Sequence, residues 1–462
     1  MPDSRKQKTP VEVLDAVIDK VIAEALDGLK KHPSDFTRTR KLPVDMAIKV
    51  ILNMQAQSIR TELAQAFPDP DDRITAAAFE KAKDKLCKEL FLKILEFYNE
   101  EAPHLHLAKD SYQVFAIDGT DLAFPYNKDS VYALTKASGR PRKDGLPSKL
   151  YCMVHANLLY DVTDSLFRDI VFQPKEKADE RGAAIEMLSR LNPDHPYIVL
   201  MDRGYDGFNM IEHCNRLNGN GYYIIRTKAG RGAIREIENL PDRDCDEDMA
   251  FVVTTSSEYY SEHKKDGNIH YIHAVKTQHK KYLSPNTKRQ KWDFGPIVTV
   301  KCRVVKFRVG DEEGKGKWEV LITNLPRDEF SLKDLKEAYH LRWQIETAFR
   351  DYKYSLSGLV FHSKKDNFIE MEIVAHLIMY NVARRTADSV SVPQKMTNKR
   401  RYAISFKDTV TVVHKYLSFW CTDPPIRIFD EILHYLRPVD SGKPTKRDIR
   451  PKSAVWFVYR VA

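Results

Sequence analysis

Apolar residues recur every three or four positions over 10–31, "PVEVLDAVIDKVIAEALDGLKK", behind a proline start. That is the spacing of a helix with one buried face. The same period runs through 42–67 and 74–102, separated by the short loop "FPDPDDR", and the last stretch is open to a break. Together they predict an all-α region, for which helix–turn–helix DNA binding is one reading. The pattern then shortens. "YQVFAID" (112–118), "LYCMVHANLLY" (150–160) and "LFRDIVFQ" (166–173) read as strands. A helix over 178–191, a strand "YIVLMD" (197–202), a helix near 206–217 and a strand "YYIIRT" (222–227) follow. Residues 228–318 are polar, β-leaning and rich in turn residues. "WEVLITNL" (318–325) is apolar again, and Ser331 can cap one helix predicted from 332 to 355, a stretch without proline or glycine.

This order predicts an α/β fold. Three strands, helix, strand, helix, strand is the order of a ribonuclease-H-like mixed sheet with helices on both faces. Here it is interrupted by a β-rich insertion, preceded by an all-α N-terminal domain and followed by a basic C-terminal region. The expected boundaries are a helical, DNA-binding 1–105, a first catalytic part 106–227, an inserted β-domain 228–317, a second catalytic part with the glutamate helix 318–390, and a basic 391–462.

Composition narrows the classes. With 462 residues, 42% hydrophobic and 10% aromatic, the chain can bury a large core and is not of a disordered type. No uninterrupted apolar run approaches the roughly 18 residues of a membrane span. The start, "MPDSRKQKTPVEV", lacks an apolar signal core, so a cytoplasmic location is expected. The six cysteines are scattered without a C-x-x-C pair and read as reduced and structural. Net charge is +9, and residues 391–462 hold 14 Lys and Arg against 6 Asp and Glu, leaving +8 of it in that tail. A basic tail interleaved with Tyr402, Phe406, Tyr416 and Trp420 suits a polyanion.

Candidate chemistry begins where two strands run into aspartate: "FAIDGTDL" at Asp118 and "IVLMDRGYDG" at Asp202. Either one alone reads equally as a turn or a cap. The helix over 332–355 adds a third acid. At 100° per residue Tyr339, Arg342, Glu346, Arg350 and Lys353 share an arc of about 80° and a stripe about 21 Å long, with Trp343 at its edge. By itself such a stripe is also a solvated face with i,i+4 ion pairs. Converging with Asp118 and Asp202, Glu346 would complete an all-oxygen set suited to Mg²⁺ and to phosphodiester chemistry. Arg342, Arg350 and Lys353 would then pair with nucleic-acid phosphates. Tyr339 would hydrogen-bond a phosphate, and Trp343 would pack or stack on a base.

Tyr339-x2-Arg342-x3-Glu346-x6-Lys353 resembles the Tyr-Arg-Glu-Lys signature of bacterial DDE transposases of the insertion sequence 4 type, and "DGT" and "DRGY" resemble that family's two aspartate motifs. The likeness covers roughly 100–390, and a β-rich insertion between the second Asp and the Glu is also the family's habit. It implies metal-dependent cut-and-paste transposition, with Asp118, Asp202 and Glu346 as catalytic metal ligands and Tyr339, Arg342 and Lys353 on phosphates. The implied cofactor is Mg²⁺, with Mn²⁺ able to substitute. The implied partners are double-stranded DNA of the element ends and target and a second copy of the chain, at the nucleoid and not at a membrane. Members that cut through a hairpin flip a base onto a tryptophan before the last strand, a place matched by Trp318, with Trp292 competing. Asp121, Asp206 and Asp351 are expected to be caps or surface groups. His104, His106 and His155 are expected to be structural, and the loop Arg140–Lys143 either touches DNA or is merely exposed. Two rival readings are a domesticated nuclease without strand transfer and a non-catalytic DNA-binding regulator.

Overall fold

A computed structural model of the chain describes residues 8–38, 41–101, 107–109, 111–135, 150–232, 234–276, 283, 287–310, 317–393, 401–417 and 427–439. The loop Arg140–Lys143, His104, His106, Trp420 and most of the basic tail lie outside the described residues.

Five helices open the chain: α1 (Pro10–Leu29), α2 (Val44–Asn53), α3 (Ile59–Ala66), α4 (Ala76–Lys83) and α5 (Lys88–Glu101). Thr9 starts α1 with a full capping box, its side chain accepting from Glu12 N while the Glu12 carboxylate accepts from Thr9 N. The expected single stretch over 42–67 divides at Met54–Ser58. There the buried Glu62 carboxylate accepts from the Gln55 and Gln57 amides, at 3.1 and 2.9 Å, and holds the loop against the next helix. The 74–102 stretch likewise divides, into α4 and α5.

Strands β1 (Gln113–Pro125), β2 (Tyr151–Asp161) and β3 (Leu166–Pro174) come next, then α6 (Glu180–Arg190), β4 (Tyr197–Met201), α7 (Phe208–Asn215) and β5 (Gly221–Thr227). β1 runs seven residues past its expected end, to Pro125, because Thr120, Leu122 and Phe124 keep the buried alternation going. The insertion supplies α8 (Arg235–Glu238), β6 (Cys245–Thr254), α9 (Ser257–His263), β7 (Ile269–Tyr271), β8 (His273–Val275), β9 (Arg289–Lys291) and β10 (Ile297–Val309). β11 (Lys317–Thr323), α10 (Leu332–His340), α11 (Trp343–Ser355), α12 (Asp366–Asp388), β12 (Tyr402–Ile404), α13 (Phe406–Leu417), α14 (Arg427–Ile432) and β13 (Leu436–Pro438) close the chain.

Nine strands make one mixed sheet in the order β3-β2-β1-β4-β5-β11-β10-β6-β7. β1, β4 and β5 are parallel, while β2, β3 and β11 run against their neighbours. The strands of 228–317 do not form a sheet of their own. β10 pairs along β11 and β6 along β10, so the insertion lengthens the central sheet, and only the short β8–β9 ribbon is separate.

Each face of the sheet carries a core. Ala116, Leu200, Ile224 and Leu321 face the N-terminal helices and α11–α13, whereas Ile117, Met201, Ile225 and Ile322 face α6 and α7. α12 is the axis of the first core. Every residue from Phe368 to Ala383 is buried, the pattern of a helix covered all round. The N-terminal helices therefore pack directly on this helix: α1, α2 and α5 all touch it.

Several polar groups inside that core are paired. Lys83, fully buried, lies 2.6 Å from Glu372 Oε1, and His362 N donates to Glu372 Oε2 at 3.0 Å. Asn381 accepts from Phe167 N and donates to Phe167 O at 2.9 and 2.8 Å, sealing part of the edge of β3. His414 Nδ1 lies 2.6 Å from Asn53 Oδ1.

Two outcomes test this core. Lys83→Ala would leave the Glu372 carboxylate buried without its cation, and urea unfolding should show a loss of roughly 3–5 kcal/mol. Burial also pushes the imidazoles of His376 and His414 down, to about 4 and about 3. An unfolded histidine titrates near 6.5. Neutral burial therefore contributes stability that is full above that value and is lost as pH falls towards the folded values, at about 1.4 kcal/mol per unit per histidine. Unfolding free energies measured between pH 7 and pH 5 should fall, and His414→Gln should flatten the slope.

Candidate active site

The parallel register of β1 and β4 sets Ile117 beside Met201, so Asp118 and Asp202 occupy the next position on each strand. Alternation turns both away from Ile117 and Met201, towards the face that carries α11. A following glycine fixes each carboxylate: Gly119 N donates to Asp118 Oδ1 at 2.8 Å and Gly204 N to Asp202 Oδ1 at 2.6 Å. Glu346 lies in the first turn of α11, which packs on β1, and its side chain is 39% exposed.

The continuous helix expected over 332–355 is two helices. Across Leu341 and Arg342 the backbone stays right-handed but bonds at i→i+3: Arg342 N to Tyr339 O, Gln344 N to Leu341 O and Ile345 N to Arg342 O, at 3.0–3.2 Å. A tightened turn of this kind breaks the 100° spacing, and the stripe divides with it. Tyr339 and Arg342 are buried, 4% and 5% exposed, while Arg350 stays in solvent with Asp351 at 4.0 Å.

Arg342 is the hinge of the electrostatics. Its Nη2 lies 2.7 Å from Glu346 Oε1 and its Nη1 3.7 Å from Asp118 Oδ2. The guanidinium carbon sits 5.8 Å from the Tyr339 ring centre and 5.1 Å from that of Trp343. Burial pushes the Asp118 carboxyl up to about 6, with the charges of Asp202 and Glu346 adding and the Gly119 amide and Arg342 opposing. Three carboxylates without sulfur or imidazole are the donors a hard divalent cation takes. Among the described residues no three acidic, histidine or cysteine side chains are drawn in tightly enough to hold a metal ion. Glu346 is drawn onto Arg342 instead.

Residues 109–382 match the model of the transposase DDE domain family. The chain belongs to that family. It is 23% identical over 363 residues to the transposase InsG of insertion sequence element IS4 from Escherichia coli K12, covering 75% of this chain and 70% of that one. A shorter match, 37% over 59 residues, reaches the putative transposase InsL of element IS186A from the same strain, 13% of this chain and 16% of that one. Among solved structures the chain is similar to the piggyBac transposase synaptic complex with hairpin DNA, at 10% identity, TM-score 0.45, and 98% and 90% of the two chains. The protein is thus a DDE transposase, an enzyme of DNA cleavage and transposition.

Other expected residues of the transposase fall in different places. Lys353 is half-buried with no carboxylate within ion-pair distance among the described residues, and burial lowers its ammonium pKa against the pull of Asp121. Trp343 is 52% exposed and flanks Arg342. Trp318 is not brought to the acids. It alternates with Val320 and Ile322 towards the opposite face, its ring 5.0 Å from Lys306 Nζ and 6.0 Å from the Arg308 guanidinium. Trp292 is 1% exposed and donates to Gly295 O at 2.8 Å, a core residue. Asp206 accepts from Thr227 Oγ1 at 2.7 Å. Asp121 and His155, expected to be bland, pair with each other at 2.6 Å beside Lys175 and Glu180. Glu180 and Tyr205 carry no signal in the sequence, since Glu180 in "ADERG" looks like an acid of a helix first turn and Tyr205 like a turn residue.

Above pH 6 the metal-free enzyme holds Asp118 charged against a penalty that its unfolded state, titrating near 3.9, does not feel. For a raised carboxyl that destabilisation appears as pH rises from the unfolded value to the folded one. Asp118→Asn should therefore raise stability at pH 8 with chelator present, by about 2 kcal/mol in urea titrations.

Proposed function

We propose that this transposase binds the inverted terminal ends of its own element as a dimer, nicks there, and uses the freed 3′-hydroxyl to cut the second strand and join a target. What supports the reading is that Asp118 and Asp202 follow the last paired residues of the parallel ladder between β1 and β4, while one guanidinium, Arg342, reaches both Asp118 and Glu346. The strand order β3-β2-β1-β4-β5 supports a ribonuclease-H-like core. We read 1–105, 106–227, 228–317, 318–390 and 391–462 as its units, with DNA contacts in the first and last. No helix among the described residues is long and apolar enough to cross a membrane, and a cytoplasmic, nucleoid-bound enzyme is our reading.

Asp118, Asp202 and Glu346 are the residues that would hold divalent metal, Mg²⁺ with Mn²⁺ able to substitute. When bound it supplies an activated water or 3′-hydroxyl and stabilises the leaving oxygen. The chain's own groups do the rest. Gly119 N–H and Gly204 N–H aim the two aspartates. Arg342, already bridging Asp118 and Glu346, brings a forked cation next to the place where a phosphate would lie. Its buried Nε and the Tyr339 hydroxyl are donors without hydrogen-bond partners among the described residues, as expected of groups kept for a ligand. Lys353 and Arg350 extend the cationic line along α11. Trp343, solvent-exposed at the mouth, offers a stacking face. The position of Trp318 on the other face removes the support for its receiving a flipped base at this site.

Asp118→Ala, Asp202→Ala and Glu346→Ala should each lower metal-dependent nicking of end DNA by more than about 100-fold, beyond what losing an outer partner of a metal site costs. Gel-shift affinity for the same DNA should stay within about threefold, since cations carry it. Retained nicking in any one of the three overturns the assignment. Sequencing the products for joined ends separates transposition from a nuclease without strand transfer.

A further inference from the structure

Beside the two aspartates lies a group of charges, exposed apart from its histidine, that strand cleavage leaves unused. His155 on β2 has a side chain only 3% exposed, and both ring nitrogens face carboxylates: Nδ1 is 2.6 Å from Asp121 Oδ1 and Nε2 is 3.1 Å from Glu180 Oε1. Lys175 Nζ lies 2.8 Å from Asp121 Oδ2. Burial works against the imidazolium, but the carboxylates of Asp121 and Glu180 outweigh it and raise the His155 pKa; the Asp121 contact is a hydrogen bond and the Glu180 contact an ion-pair approach. His155, Lys175, Asp121 and Glu180 thus make one mutually paired set.

Its consequence lies in what it touches. A Cβ on Gly119 would stand 2.6 Å from His155 Nε2 and 3.3 Å from Glu180 Oε1. A Cβ on Gly204 would stand 3.5 Å from Glu180 Oε2 and 2.9 Å from Asp202 Oδ1. The two oxygens of one glutamate therefore address the residue after Asp118 and the residue two beyond Asp202. Those same glycines supply the amides that hold the aspartate carboxylates. Neither glycine is needed for a left-handed backbone, since neither is among those with positive φ. A side chain on Gly119 would collide with His155, whereas one on Gly204 would meet the Asp202 carboxylate itself and come into van der Waals contact with Glu180. Tyr205, next in line, has a fully buried hydroxyl without a hydrogen-bond partner among the described residues, in the field of Asp118, Glu180 and Asp202.

We propose that Glu180, anchored by His155, is a positioning residue that sets Asp118 and Asp202 in register from beside them. The proposal rests on the cleavage reading above. Glu180 touches no substrate in it. Its carboxylate spans the two glycine turns, so that a shift in one aspartate is resisted by the other through a single shared support, with His155 and Lys175 keeping that support from drifting towards the metal-binding side.

The test uses the full chain with purified end DNA and Mn²⁺. Glu180→Ala should slow single-turnover nicking 10- to 100-fold, the range for losing an outer partner of a metal site. It should also weaken Mn²⁺ binding by the DNA-free protein, read by calorimetry, about tenfold, while end-DNA affinity and the urea midpoint stay at wild-type values. Glu180→Gln, which keeps an acceptor oxygen for His155, should restore most of both losses. Gly119→Ala, which drives a methyl into His155 and against Glu180 Oε1, should reproduce the Glu180→Ala defect with the glutamate still present. Wild-type nicking and Mn²⁺ affinity in both Glu180→Ala and Gly119→Ala would overturn the proposal. So would defects that simply follow a lowered urea midpoint and are not restored by Glu180→Gln. An Asp118→Ala control separates the two levels: if it still nicks, the cleavage reading fails. If it is dead while Glu180→Ala is fully active, only the positioning role fails.

Discussion

Ile117 lies beside Met201 in a parallel ladder, and the next residue on each strand is an aspartate. Parallel neighbours present equivalent positions to the same face and at the same end, so this one pairing turns two carboxylates 84 residues apart in the chain into a local pair. Antiparallel pairing would not do so with these sequences. Everything else at the site answers the charge problem that the pairing creates. Asp118 is raised to about 6 by burial and by its acidic neighbours, and the cation nearest to it, Arg342, comes from a helix more than 200 residues further along.

That distance explains the odd shape of the Arg342 segment. A continuous α-helix would carry Tyr339, Arg342 and Glu346 as one outward stripe. The i→i+3 joint instead lets Tyr339 and Arg342 turn inward while Glu346 stays near the surface. Neither glycine nor proline marks it, and residues 331–342 look like uninterrupted helix by propensity. The buried guanidinium, with its Nε lacking a partner among the described residues, carries a cost that stability alone does not justify. The substrate-facing role proposed above would account for it.

Much of the scaffold was legible. Strands β2 to β5 and β11 and the helices α6 and α7 lie within two residues of their apolar runs, because buried strands of an α/β sheet are continuous in hydrophobicity and are bounded by turn residues. The positions of the two aspartates were legible because each ends an apolar run, whereas Glu346 was read in mid-helix and stands in the first turn of α11. What was hidden depends on partners far away in sequence. The break at Met54–Ser58 rests on Glu62 capping amides of the preceding loop. The insertion's place in the main sheet rests on β10 meeting β11. Lys353 and Trp318 were aligned by spacing alone, and spacing cannot say which face of a strand or how deep in a cleft a residue lies. Glu180 and His155 have no local signature, since each is an ordinary polar residue until the sheet brings them beside the aspartates.

The first core shows the same logic at larger scale. α12 carries Glu370, Glu372, His376 and Asn381 through its buried length, and an all-leucine helix there would bury as much area with less desolvation. Each polar group, however, admits few partners. Asn381 accepts and donates to both backbone groups of Phe167 at the edge of β3, Glu372 takes Lys83 from α4, and Glu370 takes Lys88 from α5. An apolar helix can slide or rotate against its neighbours with little change in contact area, whereas these bonds hold in one register only. The N-terminal helices are thereby locked to the sheet that carries the aspartates. A strand of DNA held by those helices would then lie at a set place relative to Asp118 and Asp202, which is what cutting at one defined phosphate requires.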